Sequence, residues 1–365
     1  MDYMAQALSL ASLALGQVSP NPAVGAVVVR GDVIVGQGYT QPPGGDHAEI
    51  VALKQAGERT RGGVIYITLE PCPHYGRTPP CTKAIAQAGI REVHLAALDD
   101  NPLVSGRGRA ELEAAGIVVY LGEHEPEAKQ LNEAYTRFIT SRRPFVTAKY
   151  AMSLDGKLAT RSGDSKWISS QEARHLAHNL RYTCDAIMAG VNTILVDDPH
   201  LTARSCGGRG GTARRQPLRV IVDDVGRTPL TARIFNEPGK TLIALGRSVK
   251  AEEKAALARG GAELVELPSA GGLVDLEGLL KYLASRDVTS VLVEGGGILL
   301  GSLFDLGLVD KVVCFIAPII IGGQEAKTPV AGKGVDRVAD SIKLERISLT
   351  RLGDNLMVTG YVIKE

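Results

Sequence analysis

Two short segments of the sequence carry the residue types of a metal-dependent hydrolase. The first is the string His47-Ala48-Glu49, and the second runs from Cys72 to Cys81 with eight residues between the two cysteines. One imidazole and two thiolates suit Zn²⁺, and three protein ligands leave the fourth tetrahedral position open. Bound zinc lowers the pKa of water toward about 7, and a nearby carboxylate that is not a ligand can carry protons. These residues therefore predict the hydrolytic deamination of a base-like ring.

A closed structural zinc site is the alternative interpretation, and it would belong to a binding or scaffold protein. Such a site needs four protein ligands, and His74, in the loop between the cysteines, is a candidate for the fourth. His74 and Arg77 are equally reasonable contacts for a phosphate or a sugar hydroxyl of a substrate. Glu49 has no function in a closed site, so its position favours catalysis.

The elements around these segments alternate between helix and strand. Cys81 opens a predicted helix and His47 lies near the start of another, and helix N-termini stabilise thiolates. Asn21 lies in a turn before the first strand, where its amide either bends the backbone or contacts the edge of a heterocycle. The pattern predicts a three-layer or open α/β domain. Its helices are predicted over 2–16, 47–57, 82–88 and 110–115, and its strands over 23–29, 33–39, 64–69, 92–98 and 117–120.

A linker at Ser141-Arg142-Arg143-Pro144 predicts a boundary, so we expect domains at 1–143 and 144–365. The second part predicts another α/β domain with a mostly parallel sheet. Its strands are predicted over 145–150, 186–189, 218–222, 241–245, 262–267, 290–293, 311–316 and 356–363, and its helices over 171–181, 251–259, 276–285 and 297–306.

A glycine-rich strand-to-helix turn, Val293-Glu294-Gly295-Gly296-Gly297, is the main chemical feature of the second part. Backbone N–H groups in such a turn can approach a phosphate, although no G-x-G-x-x-G fingerprint opens this domain. Together with Trp167, Arg181 and Arg204, the turn favours a nucleotide-cofactor site.

Composition excludes several classes of partner. The chain has 365 residues, with 41 basic and 40 acidic side chains and a net charge of +1, which gives no electrostatic reason to expect nucleic acid or a membrane surface. No apolar run approaches the roughly 20 residues of a membrane span. The five cysteines are odd in number and widely spread, which argues against a disulfide framework. We therefore expect a reducing compartment and a cytoplasmic protein.

Four motifs, taken together, resemble the RibD family of bifunctional riboflavin-biosynthesis deaminase-reductases over nearly the whole chain. They are the HAE string, TLEPCPHYGRTPPC, SLDGKLATRSGDSKWISS and VEGGG. The resemblance implies a cytidine-deaminase-like three-layer domain followed by a dihydrofolate-reductase-like domain. It implies zinc-dependent removal of the 2-amino group of 2,5-diamino-6-ribosylamino-4(3H)-pyrimidinone 5′-phosphate. It then implies NADPH-dependent reduction of the ribosyl group to ribityl. The expected partners are this phosphorylated pyrimidine and further copies of the chain, with Leu356–Ile363 as a candidate interface strand.

The resemblance also implies roles for individual residues. His47, Cys72 and Cys81 resemble the zinc ligands, Glu49 the general acid and base, and Asn21 a pyrimidine contact. The NADPH positions implied are Ala151, Trp167, Thr193, Asp197 and the stretch 296–302, which includes Gly296 and Gly297. The substrate positions implied are Ser165, Arg181, Leu201, Arg204 and Glu294, with Lys149 near the ribose. The two arginines suit the 5′-phosphate, and Arg247 and Lys250 are weaker candidates for the cofactor's 2′-phosphate.

Three positions depart from the family pattern. Pro73 follows the first motif cysteine where a serine is frequent, and Asp100 stands in a loop commonly written DPNP. Asn192 replaces a common glycine near the cofactor, so that a side chain occupies that turn. This last departure motivates an alternative in which only the deaminase half is active.

Overall fold

A computed structural model describes residues 1–75, 79–166, 168–204, 215–270 and 273–364. The chain divides into two compact units, Met1–Arg143 and Pro144–Glu365. Each unit has hydrophobic core clusters of its own.

The first unit is built on a five-stranded sheet in the order β2-β1-β3-β4-β5. β1 is antiparallel to β2 and β3, whereas β3, β4 and β5 are parallel to one another. The strands are β1 (Gly25–Arg30), β2 (Val33–Tyr39), β3 (Val64–Ile67), β4 (Glu92–Leu95) and β5 (Val118–Leu121). The helices are α1 (Tyr3–Ser12), α2 (Ala48–Ala56), α3 (Cys81–Gln87), α4 (Arg107–Ala114), α5 (Glu125–Leu131) and α6 (Glu133–Ser141), and a 3₁₀ turn covers Gly57–Thr60.

Two glycines let helices pack directly on the sheet. A Cβ atom at Gly25 would lie 1.9 Å from the Ala7 carbonyl oxygen of α1, and one at Gly38 would lie 2.4 Å from the Ala48 carbonyl oxygen of α2. Gly38 is opposite Ala26, the residue after Gly25, so the two glycines face opposite sides of the sheet. α1 and α2 therefore cover opposite faces, which gives three layers.

The second unit is built on a nine-stranded sheet in the order β10-β9-β8-β7-β13-β6-β14-β16-β15. The seven strands from β10 to β14 in that order are parallel, and β16 and β15 are antiparallel additions at one edge. The long strands are β6 (Phe145–Ser153), β7 (Ala186–Gly190), β8 (Leu218–Val222), β9 (Thr241–Gly246), β10 (Ala262–Leu267), β13 (Ser290–Glu294), β14 (Lys311–Ala317), β15 (Leu344–Leu352) and β16 (Asn355–Val362).

Helices and a small hairpin complete the second unit. The helices are α7 (Gln171–Thr183), α8 (Val191–Asp197), α9 (Ala251–Arg259), α10 (Leu276–Ser285) and α11 (Gly297–Asp305). A separate hairpin joins β11 (Ser269–Ala270) and β12 (Leu273–Val274), and 3₁₀ turns cover Arg233–Phe235 and Val338–Asp340.

The predicted elements are present, but the sequence did not predict α5, α6, α8 and β15. α5 and α8 have seven residues each, too few for a clear helical period, and β15 is exposed along most of its length and lacks an alternating pattern. Cys184, directly after α7, is partly buried. In the part of the chain that the structure describes, no helix is long and apolar enough to cross a membrane.

Candidate active sites

The three predicted zinc ligands lie at one edge of the first sheet. His47 immediately precedes α2, Cys72 follows β3, and Cys81 is the first residue of α3. Because β1 is antiparallel to its two neighbours, the carboxyl ends of β2 and β3 meet the amino end of β1. Asn21, in the turn before β1, therefore belongs to the same edge.

The donor atoms of the three side chains have the spacing of a tetrahedral metal site. His47 Nδ1 lies 3.7 Å from Cys72 Sγ and 3.3 Å from Cys81 Sγ, and the three atoms all lie within 4.8 Å of one another. Nitrogen and sulfur ligands of tetrahedral zinc, at about 2.1 Å and 2.3 Å from the metal, are about 3.6 Å apart. The donor set and its spacing therefore fit zinc.

The charges of this cluster favour a cation. Hydrogen bonds with the Cys81 side chain and with His47 outweigh the effect of burial and together lower the pKa of Cys72 to about 4. The same hydrogen bond raises the pKa of Cys81, and burial raises it further. Deprotonation of Cys72 thus disfavours deprotonation of Cys81, whereas a divalent ion would stabilise both thiolates.

Glu49 lies beside the cluster without belonging to it. Its side chain is in the first turn of α2, is 3% exposed and hydrogen-bonds with the Cys81 thiol. Burial raises the pKa of Glu49. A carboxyl group so close to the ligands can exchange protons with a molecule held at the metal.

The other residues predicted around this cluster are less closely tied to it. His74 is exposed and is not one of the three clustered ligands, so the described residues give no support to a four-ligand site. Asn21 is partly buried, and its backbone N–H donates to the Val18 carbonyl oxygen at 2.8 Å. Arg77 lies outside the described residues.

Glu70 is a buried residue of this site that our sequence reasoning missed. Its carboxylate accepts three backbone hydrogen bonds, from Asp99 at 3.2 Å and from Gly106 and Arg109 at 2.9 Å. These contacts attach the segment that leads to Cys72 to the start of α4. The sequence contained one indication of this role, because Glu70 is a charged residue between two apolar stretches and lies two positions before the ligand Cys72.

The second unit brings three predicted residues together around Glu294, the last residue of β13: Lys149 comes from the middle of the neighbouring β6 and Arg181 from α7. Glu294 Oε1 accepts a hydrogen bond from Arg181 Nε at 2.6 Å, and its Oε2 accepts one from Arg181 Nη2 at 2.8 Å. Lys149 Nζ lies 3.5 Å from Glu294 Oε2. Burial alone would raise the pKa of Glu294, but the two cations outweigh it and hold that pKa at about 2.

Residues 201 to 204 lie against the same group. Arg181 also donates to the Thr202 carbonyl oxygen at 3.2 Å, and Leu201 is buried with a positive φ of 47°. His178, one helical turn before Arg181, was not predicted, although its spacing on α7 indicated a shared face. Its Nδ1 is buried without a hydrogen-bond partner in the described structure. Burial lowers the pKa of His178, and the charges of Arg181 and Arg204 lower it further.

The predicted cofactor residues form a second group at the same edge of the sheet. Gly295 and Gly296 have positive φ values of 92° and 60°, and a Cβ atom at Gly295 would lie 2.8 Å from Thr193 Oγ1. The Gly295–Gly296 turn therefore forms an open backbone surface, called the cradle below, which side chains at these positions would fill. It lies directly before Gly297, where α11 begins. The free N–H groups of a helix start suit a phosphate, so the cradle fits a dinucleotide.

The remaining predicted residues are not brought into this cradle by any described contact. Ala151 packs in a cluster with Phe315 on the neighbouring β14. Asp197 ends α8, and Ser165 is partly buried in the loop that follows β6. Trp167 lies outside the described residues.

Comparison with known proteins gives a family match for each of the two units. A family model for the RibD C-terminal domain matches residues 144–358. A model for the cytidine and deoxycytidylate deaminase zinc-binding region matches residues 1–97. The riboflavin biosynthesis protein RibD of Aquifex aeolicus (strain VF5) is 42% identical over 358 residues, which cover 98% of this chain and 97% of that protein. The chain belongs to the RibD family.

Solved structures extend the similarity to the fold. Acinetobacter baumannii RibD, form 1, has a TM-score of 0.88 and 34% identity, over 99% of this chain and 98% of that one. A diaminohydroxyphosphoribosylaminopyrimidine deaminase/5-amino-6-(5-phosphoribosylamino)uracil reductase from Thermotoga maritima has a TM-score of 0.85 and 33% identity, with the same coverage. These matches confirm the predicted fold class, a deaminase-like α/β unit followed by a reductase-like one.

Proposed function

We propose that this chain catalyses two consecutive steps of riboflavin biosynthesis. The first is the hydrolytic deamination of 2,5-diamino-6-ribosylamino-4(3H)-pyrimidinone 5′-phosphate, and the second is the NADPH-dependent reduction of its ribosyl group to ribityl. The observation that carries the proposal is the His47, Cys72 and Cys81 cluster with Glu49 beside it, in a chain that belongs to this family over its full length.

In the deamination, the three ligands hold zinc and Glu49 moves the protons. Zinc, when bound, acidifies a coordinated water and so supplies the nucleophile at neutral pH. Glu49 carries the two protons of the water in turn, the first to a ring nitrogen and the second to the departing amine, so that the amino group leaves as ammonia and a ring carbonyl remains. Its burial and its hydrogen bond with Cys81 support this role, because they keep the carboxyl group beside the metal ligands.

In the reduction, we assign the substrate to the group formed by Lys149, Arg181 and Glu294. NADPH, when bound, would supply a hydride to C1′ of the ring-opened sugar, whose C1′–N double bond becomes a single bond as the nitrogen takes up a proton. Arg181 and Arg204 are the candidates for the 5′-phosphate, and Lys149 for the ribose. The short contacts of Arg181 and Lys149 with Glu294 support these assignments, since they hold both cations at the carboxyl edge of the sheet, next to the Gly295–Gly296 turn.

The variant Glu49→Gln tests the deaminase assignment. We expect ammonia release to fall by at least about 100-fold, the contribution of a general acid and base, while zinc content stays at the wild-type level. Glu58→Gln, a change of an exposed glutamate in the same unit, is the matched control. Wild-type ammonia release by Glu49→Gln would contradict the role of Glu49.

The alternative, a deaminase with an inactive reductase-like unit, requires a separate assay. We expect the purified chain to oxidise NADPH when it is mixed with already deaminated substrate. Arg181→Met should abolish this oxidation and leave ammonia release unchanged. An absence of NADPH oxidation by the wild-type chain would favour the alternative.

We also propose a homo-oligomer in a reducing compartment such as the cytoplasm. The edge strand β15 and its partner β16 expose apolar side chains. Among them are Ile347, Leu349 and Leu356, whose exposed fractions are 52%, 69% and 43%. An exposed apolar edge strand is a surface for pairing. Sedimentation of the wild-type chain and of Leu349→Lys tests this, and a monomeric wild type overturns it. We infer the reducing compartment from Cys72 and Cys81, because cysteines bind zinc as thiolates and not as a disulfide.

A further inference from the structure

A side-chain hydrogen bond joins the turns after β7 and β8, and neither proposed reaction uses it. Arg227 Nη2 donates to Asn192 Oδ1 at 3.1 Å. Asn192 is the second residue of α8, directly after β7, and Arg227 lies in the turn that follows β8. Because β7 and β8 are adjacent and parallel, both residues lie at the carboxyl edge of the sheet, where open α/β sheets bind their ligands.

The backbone of Arg227 is firmly held while its guanidinium is exposed. The fully buried Asp223 accepts hydrogen bonds from the Arg227 N–H at 3.0 Å and from the Thr228 N–H at 2.7 Å. Within the described ranges, no carboxylate pairs with the guanidinium, and the neutral amide of Asn192 is its hydrogen-bond partner. The site therefore presents an oriented positive charge that is still free to bind an anion.

This charge lies beside the proposed dinucleotide cradle. Thr193, the residue after Asn192, contacts the Gly295–Gly296 turn. The adenosine ribose of a dinucleotide is bonded to its pyrophosphate through the 5′ carbon, so a group at the ribose 2′ position lies within one sugar ring of the pyrophosphate. Arg247 and Lys250 follow β9, which is one strand farther from the cradle.

We propose that Arg227, oriented by Asn192, binds the 2′-phosphate of NADPH and makes the reductase prefer NADPH to NADH. A guanidinium can bind a phosphate with two parallel hydrogen bonds. The Asn192 amide orients the guanidinium without neutralising it. This inference rests on the proposed reductase function. It also assigns a function to the side chain of Asn192, which stands where the family commonly has a glycine.

Binding of adenosine phosphates to the full-length chain tests the inference without the reaction. Calorimetry would measure the dissociation constants of 2′,5′-ADP and 5′-AMP for the wild type, Arg227→Gln and Arg247→Gln. We expect Arg227→Gln to weaken 2′,5′-ADP about 10- to 100-fold, the loss of hydrogen bonds to a charged group. Binding of 5′-AMP should stay unchanged, and Arg247→Gln, which tests the competing candidate, should bind both ligands as the wild type does.

Two further measurements add independent support. Asn192→Asp places a carboxylate against the guanidinium, and we expect it to weaken 2′,5′-ADP selectively as well. In steady-state assays, Arg227→Gln should raise the KM for NADPH with little change in kcat, and it should leave the KM for NADH unchanged. Unchanged binding of 5′-AMP serves as the folding control, because it reports on the unit that contains Arg227.

The outcomes separate this inference from the proposed function. Equal weakening of 2′,5′-ADP and 5′-AMP in Arg227→Gln, or loss in Arg247→Gln alone, overturns the inference. So does a wild type that reduces its substrate with NADPH but binds 2′,5′-ADP no better than 5′-AMP, and the proposed function then stands. A wild type that binds 2′,5′-ADP through Arg227 but reduces nothing supports the inference and overturns the proposed reduction.

Discussion

Glu294 is a buried carboxylate whose environment determines its charge. Arg181 and Lys149 hold its pKa at about 2, below its ordinary value of 4.5. The folded chain therefore binds this proton less tightly than the unfolded chain. The stabilisation is complete above about pH 4.5 and is lost as the pH falls toward 2.

Glu294→Gln should consequently lower the free energy of unfolding by about 3 kcal/mol at neutral pH, because two largely buried cations lose their counter-charge. The difference from the wild type should shrink as the pH falls from 4.5 toward 2. Denaturant unfolding across this pH range measures it, and Glu252→Gln, at an exposed position of α9, is the control. A difference that does not change with pH would contradict the assigned charge of Glu294.

The packing of α2 on β2 determines where His47 and Glu49 lie. A Cβ atom at Gly38 would lie 2.4 Å from the Ala48 carbonyl oxygen and 2.7 Å from the Ala52 amide nitrogen. A residue larger than glycine at position 38 would therefore push α2, which begins next to His47, away from β2. The geometry of the zinc ligands thus depends on a residue that contacts none of them.

Gly38→Ala should displace α2 and lower both stability and zinc content. We expect a loss of about 2 kcal/mol in the free energy of unfolding, typical of overpacking, and substoichiometric zinc by metal analysis. Gly190→Ala is a matched control, because its Cβ atom would meet only Leu299 Cβ at 3.8 Å. Full zinc occupancy in Gly38→Ala would show that α2 tolerates the displacement.

The two units have separate hydrophobic cores, and each proposed reaction uses residues of one unit. Removing zinc with a chelator should therefore abolish ammonia release while NADPH oxidation with deaminated substrate continues. The thermal midpoint of the first unit should also fall, because zinc binds only the folded site. Readdition of zinc should restore both properties. Parallel loss of the two activities would show that the metal supports the whole chain.

The zinc cluster could be predicted from the sequence because its ligands are chemically distinctive and their segments are short. His47 and Glu49 share one helix start, and Cys72 and Cys81 flank one loop, so local spacing retains much of the geometry. The alternation of helices and strands, and hence the fold class, is likewise a local periodic pattern.

Only the tertiary structure decided which distant residues meet. Arg181 and Glu294 are 113 positions apart, and Asn192 and Arg227 are 35 apart. Asn192 and Arg227 meet because a parallel sheet aligns the carboxyl ends of β7 and β8, and Arg181 reaches Glu294, at the end of β13, from α7. Local periodicity predicts each strand but not its neighbours. The reductase contacts therefore follow from the strand order, whereas the deaminase ligands follow from their chemistry and spacing.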